Sequence, residues 1–186
     1  MATLSEKLKK ISPQRWALSI LIVIGLVGLI MMTFKTNPKI VKAAQQVPQL
    51  AAAIRQKFQV RSDYRGLNTE EVIKLKAAPT DMMAGNALMN ALDLPVLVGN
   101  GADGAPLMPG ARHFNIVYKG LNKSECVSIA TYNSNEKDQL GLNDIVILSE
   151  KHERAFSWGG ENPLPVSLSE AEDSCGKENI LIFGYE

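Results

Sequence analysis

The sequence predicts an α+β protein in which a long N-terminal α-helix packs on an antiparallel β-sheet. Three observations support this fold class: a charge-free segment at 16–34, a helical stripe of apolar residues at 40–58, and β-type segments in the C-terminal half. Helical segments therefore come first along the chain, and strands separated by short helices follow. This segregation is typical of α+β proteins.

The first element, residues 16–34, is an apolar segment with the length of a transmembrane helix. Its nineteen residues would form a helix about 28 Å long, close to the ~30 Å hydrocarbon core of a bilayer. Residues 1–15 hold four Lys and Arg against one Glu, which is the basic flank expected on the cytoplasmic side. We therefore expect a single-pass protein of a bacterial inner membrane, with its N-terminus in the cytoplasm and its C-terminal domain in the periplasm.

A cleaved secretory signal is the alternative interpretation of this segment. Such a signal has a shorter apolar core, which is followed by a cleavage site of the small-x-small type. Here the apolar run ends in Met31, Met32, Thr33, Phe34 and Lys35, which offers no such site. The sequence therefore favours a retained anchor.

An amphipathic continuation of the helix is predicted over residues 35–62. Apolar residues recur there at alternating intervals of four and three, which places them on one helical face. They are Ile40, Ala44, Val47, Ala51, Ile54 and Phe58. Polar residues such as Gln46 and Lys57 occupy the opposite face, and Pro38 and Pro48 are expected to bend the helix. The stripe suits a core face, an assembly face, or both.

A globular domain is predicted for the remaining residues, 63–186. Asn68 has the pattern of an N-cap, with Glu71 three residues later, for a helix at 69–78. An irregular helix is expected at 82–94. Residues 98–110 are expected to form a loop, because two prolines follow the glycine-rich segment at 99–104 and prevent the helix that a dinucleotide-binding fingerprint needs.

The strands of the sheet are expected in the last third of the chain. Alternating or continuous apolar residues predict strands at 112–119, 144–149 and 180–183. Short helices are expected at 122–130 and 168–174.

The two cysteines, Cys126 and Cys175, both lie in the part of the chain that we place outside the membrane. Disulfides persist in that compartment, and a bridge would close a loop of ~50 residues, worth roughly 4 kcal/mol in the chain-entropy model. Two separate buried thiols are the alternative. The inferred compartment favours the bridge.

Composition and motifs give no indication of an enzyme. The chain of 186 residues is 46% hydrophobic with a net charge of +1, so no global basic surface for nucleic acid is expected. Two cysteines and two histidines supply little material for a metal site. His113 and His152 are expected to be structural or solvated, and no nucleophile elbow, HExxH or P-loop is present. We therefore expect no catalytic residue, metal, cofactor or small-molecule substrate.

Charge is divided unevenly between the two parts of the chain. Residues 1–119 contain 15 Lys and Arg against 7 Asp and Glu, and residues 120–186 contain 5 against 12. Solvated faces would explain this balance of +8 and −7. A dipolar subunit that stacks on copies of itself would explain it equally.

The architecture resembles that of type IV pilins, and in particular the pilins of type IVb and conjugative thin pili. The most specific block runs from Tyr64-Arg-Gly-Leu to Pro79-Thr-Asp-Met-Met, which resembles the turn and short helix after the long helix in that group. Phe114-Asn-Ile-Val-Tyr and the segment around Cys126 resemble the following strand and helix. In the family, the cysteines that match Cys126 and Cys175 close a disulfide-bounded region.

Two positions depart from the pilin pattern. Pilin precursors carry a glycine before the processing site and a glutamate at the fifth mature position. If Trp16 is the first mature residue, Arg15 replaces the glycine and Ile20 replaces the glutamate. An unpaired carboxylate in hydrocarbon is costly and is retained for a purpose. The absence of this glutamate therefore argues against a major, self-polymerising subunit.

The resemblance implies a structural subunit, either a major or a minor pilin, that assembles through its N-terminal helix. Its partners would be copies of itself or other pilins, the inner membrane, a prepilin peptidase and a pilus assembly platform. The two departures favour an alternative, an uncleaved membrane-anchored accessory protein of a pilus or secretion system. A periplasmic binding module on an anchor is a third hypothesis, which no motif supports.

Overall fold

Helix α1 (Pro38–Phe58) is the first element that the structure describes. The structure is a computed structural model, and it describes residues 37–134 and 141–186. The predicted leader and membrane segment, including Arg15, Trp16 and Ile20, lie outside these residues. Within the described ranges, no helix is both long and apolar enough to cross a membrane.

The sequence of α1 explains where its ends and its buried face lie. Pro38 occupies the first helical position, where the missing N–H costs no hydrogen bond, and Arg55 and Lys57 complement the helix dipole in the last turn. All six residues of the predicted apolar stripe are buried. Gln46 is also buried, which corrects the prediction that it lies on the solvated face.

Helix α2 (Thr69–Lys74) begins as predicted and ends early. The side chain of Asn68 accepts a hydrogen bond from the Glu71 N–H at 2.8 Å, which caps the first turn. At the other end, Lys76 has a left-handed conformation with φ of 50°, which turns the chain away from the helix axis. The predicted extension of this helix to residue 78 is therefore wrong.

The segment predicted as an irregular helix, 82–94, is a short hairpin instead. A 3-10 turn at Thr80–Met82 leads into strands β1 (Met83–Ala84) and β2 (Ala87–Leu88). Gly85 has a positive φ of 61°, which suits a tight hairpin turn and interrupts a helix.

Five antiparallel strands form the main sheet in the order β3-β4-β7-β5-β6. Their bounds are β3 Val96–Gly99, β4 Phe114–Leu121, β5 Leu142–Ser149, β6 Glu153–Ser157 and β7 Asn179–Tyr185. The three predicted strands correspond to β4, β5 and β7. The sequence did not predict β3 and β6, because β3 has only four residues and β6 is a mostly polar edge strand.

Two helices connect these strands. Helix α3 (Lys123–Asn133) follows β4 directly, and helix α4 (Leu168–Ser174) has the predicted bounds. Each begins with a complete capping box, formed by Asn122 with Glu125 and by Ser167 with Glu170.

The hydrophobic core lies between α1 and one face of the sheet. All five strands contribute to it, largely through alternate residues, such as Ile116 of β4 and Phe183 of β7, and β6 contributes Phe156. The buried Tyr118 hydroxyl donates a hydrogen bond to the Ala43 carbonyl of α1 at 3.0 Å, which ties the helix to the sheet. The α+β fold predicted from the sequence, a helix on an antiparallel sheet, is confirmed.

Candidate assembly surfaces

The six stripe residues predicted for assembly or helix packing form the core of their own domain. Ile40, the most exposed of them, has 8% of its surface accessible, and the others have 3% or less. Within this domain they are packing residues. A second molecule would meet a different face of α1.

The exposed face of α1 carries little charge: it begins at the exposed Lys42, which pairs with Asp81, and uncharged residues follow for about three turns. Gln45, Gln49, Ala52 and Gln56 are exposed along it, and Val41 is partly exposed. An exposed helical face is usually rich in charged residues. Small and amide side chains instead suit close packing against another helix.

A polar contact beneath α1 holds the residue 80–91 segment against the helix. The buried Gln46 amide donates to the Asp81 carboxylate at 3.1 Å and accepts from the Ala91 N–H at 2.8 Å. Lys42 also pairs with Asp81 at 2.8 Å. The Lys42 ammonium, followed by the Gln46 amide, lowers the pKa of Asp81.

Cys126 and Cys175 form a disulfide, with their Cα atoms 6.0 Å apart. Both residues are fully buried. The bond joins the first turn of α3 to the residue that follows α4, and so closes a loop with a sequence separation of 49.

The chain that follows the disulfide is held from two sides. The buried Asn179 side chain donates to the Leu121 carbonyl at 2.9 Å and accepts from the Gly176 N–H at 2.7 Å. From the other side, the Glu150 carboxylate accepts a hydrogen bond from the Lys177 N–H at 2.8 Å. This backbone hydrogen bond is the main cause that lowers the pKa of Glu150.

An open cleft of about 460 Å³ lies where α1 ends and β4 begins. We call it the arginine cleft, because the guanidinium groups of Arg55, Arg61 and Arg112 line it together with the carboxylates of Asp63 and Glu186. Arg61 lies over the Phe58 ring at 4.5 Å.

Asp63 is already engaged within the arginine cleft. Its carboxylate accepts a hydrogen bond from the Gly110 N–H at 2.7 Å and lies 3.9 Å from the Arg65 guanidinium. The Gly110 N–H is the main cause that lowers the pKa of Asp63.

Helix α4 is acidic and exposed. Its sequence LSEAEDS has three acidic residues and no basic one. Glu170 is used in the capping box, whereas Glu172 and Asp173 are exposed. Leu168, at its start, has 61% of its surface accessible. We call this surface the acidic helix.

The described residues give no sign of a catalytic or metal centre. No group of three or more metal-ligating side chains occurs among them, and both histidines are exposed. Asp144 is the one described carboxyl whose pKa is raised, which burial causes.

The arginine cleft was not predicted from the sequence. Two of its guanidinium groups, those of Arg55 and Arg112, come from positions far apart in the chain, and only the fold brings them together. The one local signal was the basic end of the α1 stripe. The charge imbalance of the C-terminal third did indicate an acidic surface.

Comparison with known proteins decides the family. The family model for bundlin matches residues 33–179, which is most of the chain. The chain belongs to the bundlin family. It is thus a type IV pilin of the IVb branch, as the resemblance in the sequence indicated. No curated protein sequence matches the chain.

The TcpA structure agrees with this bundlin-family assignment at the level of the fold. The TcpA type IV pilin of the Vibrio cholerae El Tor biotype is 15% identical, with a TM-score of 0.57 over 81% of this chain and 100% of that one. A type IVb pilin from Salmonella typhi is 20% identical, with a TM-score of 0.48 over 81% of this chain and 99% of that one. The bundlin-family fold is that of structural subunits, which assemble into pili from pilin copies.

Proposed function

We propose that this chain is a major or minor pilin of a type IVb-like or conjugative pilus, and that it assembles through its N-terminal helix. The observation that carries the proposal is the row of uncharged residues on the exposed face of α1, Gln45, Gln49, Ala52 and Gln56. In water such a face gains little from its amide side chains, whereas in a fibre core it would bury them against neighbouring helices. The family assignment supports this interpretation.

Before assembly, the subunit would be held in the inner membrane as a single-pass protein. The proposed segments are a basic cytoplasmic leader at 1–15, a membrane helix at 16–34 and an amphipathic helical segment within 35–62. Residues 63–186 would complete the periplasmic domain, which becomes extracellular in the pilus. In the oxidising periplasm the disulfide would be stable.

Processing would take place between Arg15 and Trp16, and the proposed partners are a prepilin peptidase and the pilus assembly platform. Arg15 stands where the peptidase normally meets a glycine. Ile20 stands where mature pilins carry a glutamate. These two residues favour a second candidate function, an uncleaved pilin-like accessory protein that stays in the membrane of a pilus or secretion system.

The intact mass of the protein from membranes separates the two candidates. The protein would be expressed with and without a prepilin peptidase, and sheared extracellular filaments would be examined for the same chain. A peptidase-dependent loss of residues 1–15, with the processed chain in filaments, is the result expected for a pilus subunit. Full-length mass under both conditions, with no filaments, would favour the accessory protein.

A further inference from the structure

The arginine cleft and the acidic helix lie towards opposite ends of the sheet. Arg112 precedes β4 at the end where Phe114 pairs with Tyr185, while α4 leads through Cys175 to the end where Leu121 pairs with Asn179. Strand β7, which has seven residues, runs between these ends over about 20 Å. The cleft and the C-terminal end of the acidic helix are therefore separated along the strand direction.

The ion pairs within the described domain engage Arg61 and Asp63 of the cleft, but they do not involve Arg55, Arg112 or the acidic helix. The six ion pairs between described side chains all join residues within 39–119, such as Lys39 with Asp93 and Lys42 with Asp81. In the described part of the chain, no acidic residue after position 119 has a basic partner within 4.0 Å. Arg55 and Arg112 likewise have no acidic partner there.

Exposed apolar side chains are close in sequence to both surfaces. In the described ranges, four large hydrophobic residues are exposed. Val60 lies between two residues of the arginine cleft, and Met108 begins the turn that leads to Arg112. Tyr132 is on the last turn of α3, which packs against α4, and Leu168 begins α4.

We propose that the arginine cleft of one copy receives the acidic helix of the next copy, a contact that deepens the proposed pilus-subunit function and rests on it. Glu172 and Asp173 would pair with Arg55 and Arg112, and the exposed apolar residues would meet around them. Arg61 of the cleft pairs with Glu71, and Asp63 pairs with Arg65. The side chains without an ion pair are then two arginines, Arg55 and Arg112, against one carboxylate, that of Glu186. Two different surfaces joined head to tail generate an open filament when the rotation does not close.

Charge reversal in the full chain tests this contact, in cells that carry the cognate pilus apparatus. One variant combines Arg55→Glu with Arg112→Glu, and the other combines Glu172→Lys with Asp173→Lys. Each should reduce sheared pili about tenfold or more, because like charges then meet across the contact. The quadruple variant restores opposite charges and should recover most of the pili.

Matched controls change the same number of charges elsewhere on the surface. Lys76→Glu with Lys151→Glu is the control for the cleft, and Glu153→Lys with Glu161→Lys is the control for the helix. Both should leave pilus yield within about twofold of wild type, as expected for exposed sites away from an interface. The amount of subunit in membranes and its intact disulfide show that each variant is folded.

A cross-linking measurement does not depend on loss of assembly. The chain contains two cysteines, and both are bonded, so added thiols are the sole free ones. A chain that carries both Arg112→Cys and Asp173→Cys should give a ladder of disulfide-linked multimers from sheared pili on a non-reducing gel. Either single variant should remain monomeric.

The outcomes separate this inference from the function on which it rests. If wild type forms pili but both reversals do too, or the cysteine pair gives monomers alone, the contact is wrong and the pilus function stands. If reversals remove pili but the quadruple variant recovers none, the pairing is wrong. If wild type forms no pili, the proposed function fails and the contact fails with it.

Discussion

Replacing both Cys126 and Cys175 with alanine should lower the free energy of unfolding of residues 38–186, which form one compact unit. The bond closes a loop with a separation of 49 residues. Freeing a loop of that length returns about 4 kcal/mol of conformational entropy to the unfolded chain. This is a large fraction of the roughly 5–15 kcal/mol that stabilises a typical domain.

Urea unfolding followed by far-UV circular dichroism measures this effect. The double variant should have a lower midpoint and a somewhat larger dependence of the free energy on urea, because an uncrosslinked unfolded chain exposes more surface. Wild-type protein treated with reductant is the matched control, since it lacks the bond but keeps both sulfurs. It should unfold close to the double variant.

A loss below about 1 kcal/mol in the double variant would refute the loop-entropy reasoning. It would mean that α3 and α4 stay together in the unfolded ensemble without the bond. A reduced wild type that is far more stable than the double variant would be a different contradiction. The sulfurs would then act mainly by filling space in the core.

Three further predictions concern buried or shifted polar groups. Gln46→Leu should lower the free energy of unfolding in urea by about 1–3 kcal/mol, because the Ala91 N–H is left without its partner. Gln45→Leu, the control at the exposed neighbour, should change it by no more than about 0.5 kcal/mol. Equal effects of the two changes would contradict the contact. Glu150, whose pKa is lowered in the fold, stabilises the domain above its unfolded pKa of 4.5, and this contribution is lost as the pH falls through the folded value. Glu150→Gln should therefore reduce the loss of melting temperature between pH 7 and pH 3, and an unchanged profile would count against it. Asp144, whose pKa burial raises, destabilises the domain once it ionises, so Asp144→Asn should raise the melting temperature at pH 7 and not at pH 3; a decrease at pH 7 would contradict this.

Local patterns were sufficient where the structure itself is determined locally. The bounds of α4 agree with the prediction, and its start depends on a local contact, the capping box that Ser167 and Glu170 form within one turn. The α1 stripe was predicted because a face buried against a sheet must repeat at helical spacing.

The sequence prediction was wrong where distant contacts decide the structure. The sequence places Gln46 on the solvated face because it is polar and lies outside the apolar stripe, and glutamine is mostly exposed. It is buried because Asp81 and the Ala91 N–H reach it from segments 35 and 45 residues away. Residues 82–94, which include Ala91, are expected to be helical from the sequence, but the turn at Gly85 makes their first part a hairpin.

The charges of the candidate assembly surfaces could also be predicted from the sequence only in part. The sequence revealed that the first 119 residues are basic and the rest acidic, but a count does not show which charges are already neutralised. The fold pairs Lys39 and Lys42 with carboxylates from the same basic part of the chain, residues 1–119. It also brings Arg55 and Arg112 into the same cleft. The acidic residues of α4 have no such partners among the described residues, so both surfaces keep charges without an ion pair. A head-to-tail contact between copies needs such charges on two different surfaces, and Arg55, Arg112, Glu172 and Asp173 provide them.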